Sequence, residues 1–417
     1  MGKKNAIYAQ SGGVTSVINA SAYGVITAAM ESGKIGSVLA GMNGINGVIE
    51  EDLIDLSREK PEVIESLRAM PGGAFGSCRR KLKDMDKDKA VFQRILDVCA
   101  AHDVGYFFYN GGNDSMDTCH KLAQFAKANN APLTVVGVPK TVDNDLPITD
   151  CSPGFASAAK YNVISMMEAS RDLESMARDS TKVFVMETMG RHAGWIAAAT
   201  GLAQITEKDG PHIILLPEVP MDHGRLMAKV KATVEKIGYC AITVSEGAQT
   251  PDGKFLAESG TRDAFGHAQL GGAGTALQEM IKKELGYKTH GALLDYCQRS
   301  ARHISSKVDV EQAIASGKKA VELALKGESG QMAIIVRESA KPYKWSMGQT
   351  SAGNIANAEK VMPKEFISED GMHITQAFRD YCLPLIEGED PPPFKNGMPV
   401  YLRLEKHMAP KKLPAFK

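Results

Sequence analysis

The sequence predicts an α/β fold, with parallel sheets covered by helices and ligand sites at the carboxyl ends of the strands. Three observations carry this expectation. Short apolar runs alternate with helical patterns along the chain. Forty glycines are present, many of them clustered just after apolar runs, where strand-to-helix loops must approach a ligand closely. The 417 residues, 43% of them hydrophobic, suffice for two or three domains with a large core.

Taken in order, Ile7 to Ala9, Val38 to Ala40, Val104 to Tyr109, Leu133 to Val138, Val183 to Met186, Ile213 to Leu216, Ala241 to Val244 and Met332 to Val336 read as buried strands. Between them Val17 to Met30, Val91 to Ala101, Ser115 to Ala128, Ser157 to Arg178 and Gly224 to Ile237 carry helical patterns. Ala273 to Leu285 and Val310 to Leu325 read as helices that return to the first unit. A soft boundary falls near residue 150. Residues 1–150, joined by segments of 272–417, are expected to form a larger α/β unit, and 151–271 a smaller one. The end differs in kind: Asp390-Pro391-Pro392-Pro393 and a lysine-rich stretch ending in Lys411, Lys412 and Lys417 read as an extended strap.

Charge narrows the function. With 49 basic and 49 acidic residues there is no whole-molecule field favouring nucleic acid or an anionic membrane, so any anion is gripped locally. The seven cysteines show no CxxC pair and no Cys/His cluster at metal-ligand spacing, which suits reduced thiols in a cytoplasmic protein. No charged-then-apolar leader opens the chain, and no apolar run is long enough to span a bilayer.

Three glycine loops are candidates for phosphate. Gln10-Ser11-Gly12-Gly13-Val14-Thr15-Ser16 joins the first strand to the first helix, where backbone N–H groups and the helix N-terminus attract an anion. It lacks the Gly-Lys-Ser/Thr of a Walker loop, and a tight turn that needs glycine for packing explains it equally well. Gly111-Gly112-Asn113-Asp114-Ser115 repeats the arrangement after Tyr106 to Tyr109. Gly72-Gly73-Ala74-Phe75-Gly76-Ser77-Cys78-Arg79-Arg80 ends in paired arginines, a clamp for charge on a transferring phosphoryl group, with Arg80 read as solvated. The densest chemistry is Pro139-Lys140-Thr141-Val142-Asp143-Asn144-Asp145, two carboxylates beside a lysine and a threonine at a strand end. An isolated Asp-Asn-Asp also suits the cap of a turn.

The order GG near the start, GGxFGSxR, GGNDS, PKTVDND, MGRHAGW, VSEG, GHAQxGG resembles the phosphofructokinase family from about Ala6 to Ala301. Lys140 in place of the glycine of ATP users, together with Asp114 after Asn113, resembles the pyrophosphate-dependent branch. The resemblance implies two Rossmann-like three-layer α/β/α domains of the phosphofructokinase type with an extended C-terminal strap. It also implies reversible transfer from pyrophosphate to the 1-hydroxyl of fructose 6-phosphate, serving glycolysis and gluconeogenesis alike. An ATP-dependent member and a non-catalytic sugar-phosphate sensor are the alternatives.

Carried over residue by residue, Asp143 matches the family's base, Asp145 the second carboxylate on the metal side, and Arg79 the transition-state arginine. Were the motif extended, Asp143 and Asp145 would share a side. Thr141 can donate to the sugar or phosphate. Mg2+ is implied by the donor's charge. At Asn113 the chain departs from the family, since the usual aspartate is absent and the metal is left to Asp145, with Asn113 a neutral ligand. Gly12 and Gly13 cradle the donor. Asp114 stands in the path of adenosine, and Lys140 offers a cation to pyrophosphate's exposed end.

For the sugar phosphate, Met189, Gly190 and Arg191 resemble the packing segment and its cation, and Glu246 the acceptor of hydroxyls. His192 reads as a packed or capping histidine. Tyr296 and Arg299 match the YxxR pair that holds the 6-phosphate. Lys182, Arg262 and His267 match basic positions offered across a subunit interface, so a homodimer or homotetramer is implied. Leu270 replaces an arginine of GHxQRGG. Arg302 and His303 read as solvated helix charges.

Overall fold

The chain begins directly in the first sheet. β1 (Asn5–Gln10), β2 (Val38–Gly41), β3 (Leu53–Asp55), β4 (Val104–Gly111) and β5 (Thr134–Pro139) belong to it. This computed structural model describes residues 2–262 and 268–416, with backbone alone where it describes 258–262 and 268–269. A second set follows: β6 (Val183–Thr188), β7 (Ile213–Leu215) and β8 (Cys240–Ser245), then β9 (Glu258–Arg262), β10 (Ala268–Leu270) and β11 (Thr289–Leu293). Two long strands, β12 (Gln331–Ala340) and β13 (Tyr343–Ser351), close the series of major strands.

The first sheet has the order β13-β12-β5-β4-β1-β2-β3. Its five inner strands are parallel, while β3 and β13 pair antiparallel at the two edges. Between β1 and β4 the order reverses, so the loops after these strands flank a crevice at their carboxyl ends. The second sheet, β11-β6-β8-β7, is entirely parallel. β9 and β10 form a separate antiparallel pair.

The inner strands are short continuous apolar runs because both faces are covered. Ile7, Val135 and Phe107 pack on one side of the first sheet with Ile95 and Leu122, and Tyr8, Val136 and Phe108 on the other with Ile26 and Leu323. Each such fully buried side chain contributes about 1.5–3 kcal/mol.

Five of the major strands stand outside the runs expected from sequence: β3, β9, β10, β11 and β13. Their residues are mixed or alternating in polarity, so no continuous apolar run marks them. One expectation is corrected. The helix Ala273–Leu285 does not return to the first unit, because Leu277 and Ile281 pack with Val183, Val185 and Ile242 against the second sheet. The helix Lys307–Leu325 does return, supplying Val321 and Leu323 to the core around Tyr8. Its buried Asp309 ties the units together by accepting from Gly154 N (2.9 Å) and Ser157 N (2.9 Å), at the start of the helix Phe155–Met176.

The C-terminal stretch lies along the molecule as a strap. Arg302, expected to be solvated, is fully buried at its start. Its guanidinium donates to the carbonyl of Asp390, 88 residues away, and to Arg68 O (3.1 Å), 234 residues away, partners that no local pattern reveals. Farther on, Glu59 receives the N–H groups of Glu405 and Lys406, and Asp55 N donates to His407 O (2.7 Å) along the β3 edge. The strap ends on buried Glu51, which accepts from Lys412 N (2.6 Å), Leu413 N (3.1 Å) and the His102 ring (2.7 Å).

Burial opposes the Glu51 charge, but these hydrogen bonds outweigh it and hold the pKa below the usual carboxylate value. The stabilisation is therefore present above the ordinary pKa of glutamate and lost as pH falls through the lowered one. Replacing Glu51 with Ala is expected to cost about 3 kcal/mol in urea unfolding at neutral pH. It should also expose residues 405–413 to limited proteolysis. An intact, protease-resistant strap in that variant would show that Glu51 does not anchor it.

Candidate active site

A cavity of about 800 Å3 lies between the carboxyl ends of β1, β4 and β5 on one side and of β6 and β8 on the other. The loops that line it are the glycine loops and the acidic motif.

On the first-sheet side, cations converge on the loop after β1. The Lys140 ammonium is buried and donates to Gly13 O (2.6 Å). A methyl group at Gly13 would sit 2.8 Å from an Arg299 nitrogen and 3.4 Å from an Arg79 nitrogen, and one at Gly12 would sit 3.3 Å from the Lys140 nitrogen. Glycine is required here by close approach, since a side chain would displace the cations. Burial pushes the Lys140 pKa down to about 8, with the Arg79 and Arg299 charges adding to it and Asp143 and Asp145 opposing. Such a crowd of positive charge calls for an anion. One charge contact at about 4 Å is worth roughly 4 kcal/mol before desolvation is subtracted.

The helix Asn113–Ala128 opens at the same end, with Asp114 in its first turn. Asp114 pairs with Lys81 (2.7 Å), and the helix N-terminus favours its charge as well. The Asn113 amide donates to the Ala358 carbonyl.

The acidic motif is not extended. Asn144 adopts a left-handed conformation (φ 54°) and turns the chain between Asp143 and Asp145. Its side chain fixes this turn, donating to the Tyr381 hydroxyl (2.9 Å) and accepting from Ser152 N (3.0 Å). Both carboxylates still line the cavity, through a turn and not through strand alternation. Thr141 Oγ1 accepts from Asp143 N (3.1 Å) and lies 3.4 Å from the Asp143 carboxylate, to which it donates.

Burial raises the Asp143 pKa, while Lys140, Arg191, the Thr141 hydroxyl and Arg299 pull it back. Asp145 rises to about 7, through burial first and then the charges of Asp143 and Glu359. Its Oδ1 is buried without a hydrogen-bond partner. Carboxylates with raised pKa values facing a cluster of cations are the mark of a site for proton transfer.

The second sheet supplies the opposite wall. Met189 and Arg191 follow β6 and line the cavity, and Gly190 between them donates to the Glu246 carboxylate (3.3 Å). Burial, helped by the Asp143 charge, pushes Glu246 up to about 7. His192, expected to be packed or capping, is exposed on the cavity wall. Tyr296 and Arg299, on the short helix Asp295–Ser300, stack with the guanidinium carbon 3.8 Å from the ring centre. Leu270 lines the cavity.

One expected substrate residue is not brought into this constellation, and two others are not fully described. Lys182 precedes β6, at the strand end away from Met189, and its ammonium donates to the carbonyls of Ala177 and Arg178. For Arg262 only the backbone is described, as the last residue of β9, and His267 lies outside the described residues.

Sequence reasoning missed the segment Asn357–Lys360, which closes the donor end. Asn357 donates to Asp117 (3.2 Å), Lys360 N donates to Asp145 O (2.6 Å), and Glu359 lines the cavity. The Lys360 ammonium sits 5.1 Å over the Trp195 ring and donates to Asn144, Thr149 and Asp150 oxygens, bracing the motif turn from below. The signal for these residues is long-range pairing, which a single sequence does not display. Lys81 was equally hidden, because it opens a run of charges that reads as solvent-facing.

Among the described residues no group of three or more His, Cys, Asp or Glu converges as a metal centre, and no helix is long and apolar enough to cross a membrane.

Comparison with known proteins identifies the family. The phosphofructokinase family model matches residues 5–324. A Halomonas elongata protein described as pyrophosphate--fructose 6-phosphate 1-phosphotransferase is 56% identical over the whole of both chains. One from Methylococcus capsulatus with the same description is 55% identical, covering 100% of this chain and 99% of its own. The crystal structure of pyrophosphate-dependent phosphofructokinase from Nitrosospira multiformis superposes with a TM-score of 0.92 at 52% identity, over 99% of this chain and 100% of that one.

Proposed function

The chain belongs to the phosphofructokinase family, and from that premise we propose that it transfers a phosphoryl group reversibly from pyrophosphate to the 1-hydroxyl of fructose 6-phosphate. The products are fructose 1,6-bisphosphate and phosphate. The observation that carries the donor assignment is the buried Lys140 ammonium against Gly13, flanked by Arg79 and Arg299 and walled by the Asp114–Lys81 pair. A compact polyanion satisfies all three cations. A nucleotide's α-phosphate would meet the Asp114 carboxylate instead.

In this reading Asp143 takes the proton from the sugar's 1-hydroxyl as its oxygen bonds to phosphorus. Thr141 holds the Asp143 carboxylate in position. Arg79 spans the phosphoryl oxygens in flight, and Lys140 with the Gly12–Gly13 loop keeps the departing phosphate. Glu246 accepts hydroxyls of the sugar, Met189 and Gly190 shape its bed, and Arg191 with Arg299 and Tyr296 meets its phosphate. Lys182, Arg262 and His267 belong to the interface with a second copy in a homodimer or homotetramer. Leu293 and Tyr296, 60% and 63% exposed beside Arg299, fit such a neighbour.

The charge of pyrophosphate calls for a divalent cation, which we infer to be Mg2+; when bound it neutralises the donor oxygens. The donor set fits a hard cation, since Asp145 presents a buried oxygen with no other partner. Asn113 offers at most its neutral side-chain oxygen, because its nitrogen is committed to Ala358.

Separate assays with pyrophosphate and with ATP test the assignment. Turnover is expected with pyrophosphate alone, and activity confined to ATP overturns the reading. Replacing Lys140 with Gly should raise KM for pyrophosphate about 100-fold with little change in KM for the sugar phosphate. The pH dependence has a definite sign. The Lys140 pKa is lowered to about 8, so its charge is complete below that pH and lost above it. Pyrophosphate affinity should therefore fall by up to about tenfold per unit on the alkaline side. The glycine variant should lack that limb.

A further inference from the structure

We infer that Glu359 supplies the carboxylate that position 113 lacks and, with Asp145, holds the divalent cation at the donor end of the cavity. The inference deepens the reading above and rests on its need for a cation. Three features of the structure lead to it.

The first is the pair of clamps on either side of Glu359. The preceding carbonyl, of Ala358, accepts from the Asn113 amide, and the following N–H, of Lys360, donates to Asp145 O at 2.6 Å. Glu359 is thus strung between the two positions at which cation ligands were sought. An aspartate at 113 has no N–H to give and would face the Ala358 carbonyl with a negative charge. Asn113 serves as an anchor for the segment, and the carboxylate is delivered by the segment itself.

The second is that the Glu359 charge has no cation of its own. It lines the cavity and makes no hydrogen bond or ion pair among the described residues. The nearby lysines of the donor end are engaged elsewhere. Lys81 pairs with Asp114, and the Lys360 ammonium is turned away beneath the motif toward Asn144, Thr149 and Asp150.

The third is Asp145 Oδ1, buried in the same cavity without a partner. Two carboxylates lining one cavity, neither in an ion pair among the described residues, are an oxygen donor set for a hard divalent ion. Phosphate oxygens and water complete its shell.

The test is titration of Mn2+ into the full-length protein in the absence of substrates, read by the electron paramagnetic resonance of free Mn2+. Glu359→Gln is expected to weaken binding about tenfold or more, as is Asp145→Asn. Glu359 is exposed and its carboxylate bears no structural contact, so the variant should keep the thermal midpoint and fructose 6-phosphate affinity of the parent. Unchanged Mn2+ affinity in Glu359→Gln overturns the inference, and so does a loss that tracks a fall in thermal midpoint. Donor choice is read separately. A protein that used ATP alone but lost Mn2+ on this substitution would refute the pyrophosphate assignment and leave Glu359 in place.

Discussion

Replacing Asp143 with Ser is expected to lower kcat by about 100- to 10,000-fold, the usual contribution of a positioned general base, and to leave fructose 6-phosphate binding nearly unchanged. The separation of the two effects follows from where Asp143 stands. In the proposed reading the sugar's bed is made by the segment after β6 and by Glu246, and the bond that joins them, from Gly190 N to the Glu246 carboxylate, does not involve Asp143. Serine is also small enough to leave the turn intact, because that turn is held by Asn144, Tyr381 and Lys360. The substitution relieves Glu246 and Asp145 of a neighbouring negative charge, so both pKa values should fall from about 7 toward their ordinary range. Binding measured by calorimetry alongside turnover decides the matter; turnover at the parental rate would remove Asp143 from the mechanism.

Arg79→Ala is expected to give the second large effect, a loss of about 1,000-fold or more in kcat, if the proposed role of Arg79 against charge developing in the transition state holds. It also has a signature that a merely structural arginine would not give. The Arg79 charge is one of the causes that lower the Lys140 pKa. Removing it lets that pKa rise, so the alkaline limb of pyrophosphate binding should move to higher pH even as turnover collapses. A pH profile of binding in the variant that matched the parent's would separate Arg79 from the Lys140 site. Lysine at 79 should restore the limb but only a fraction of the rate, since it lacks the forked geometry of guanidinium.

How much of this was visible beforehand depends on how local the signal was. The strands that carry the site are buried on both faces and so appear as bare apolar runs, and their loops announce themselves by glycine. The acidic motif holds its candidate residues within seven positions, which is why Lys140, Thr141, Asp143 and Asp145 stand out in the sequence and line one cavity in the structure. The shape of that motif was not legible, because the left-handed turn at Asn144 is fixed by Tyr381, 237 residues away. Glu359 and Lys360 were invisible for the same reason: nothing near them in sequence marks a ligand, and their meaning comes from Asn113 and Asp145. Arg302 shows the opposite failure, a charge at a helix end that reads as solvated until Asp390 is laid over it. The strand β13 was hidden by its alternation, with Tyr343, Trp345 and Met347 turned to the core and polar residues between them.

The order in which the first sheet is completed bears on how the chain is made. β5 leads straight into the acidic motif, yet its outer neighbour β12 is supplied about 200 residues later, and β13 later still. On a ribosome, Val135, Val136 and Val138 therefore emerge as a bare apolar edge long before anything can pair with them. Through most of synthesis the nascent chain carries its acidic motif beside the surface most prone to join another chain. Its yield in the cell should thus depend on a chaperone that shields β5 until residue 351 has been added.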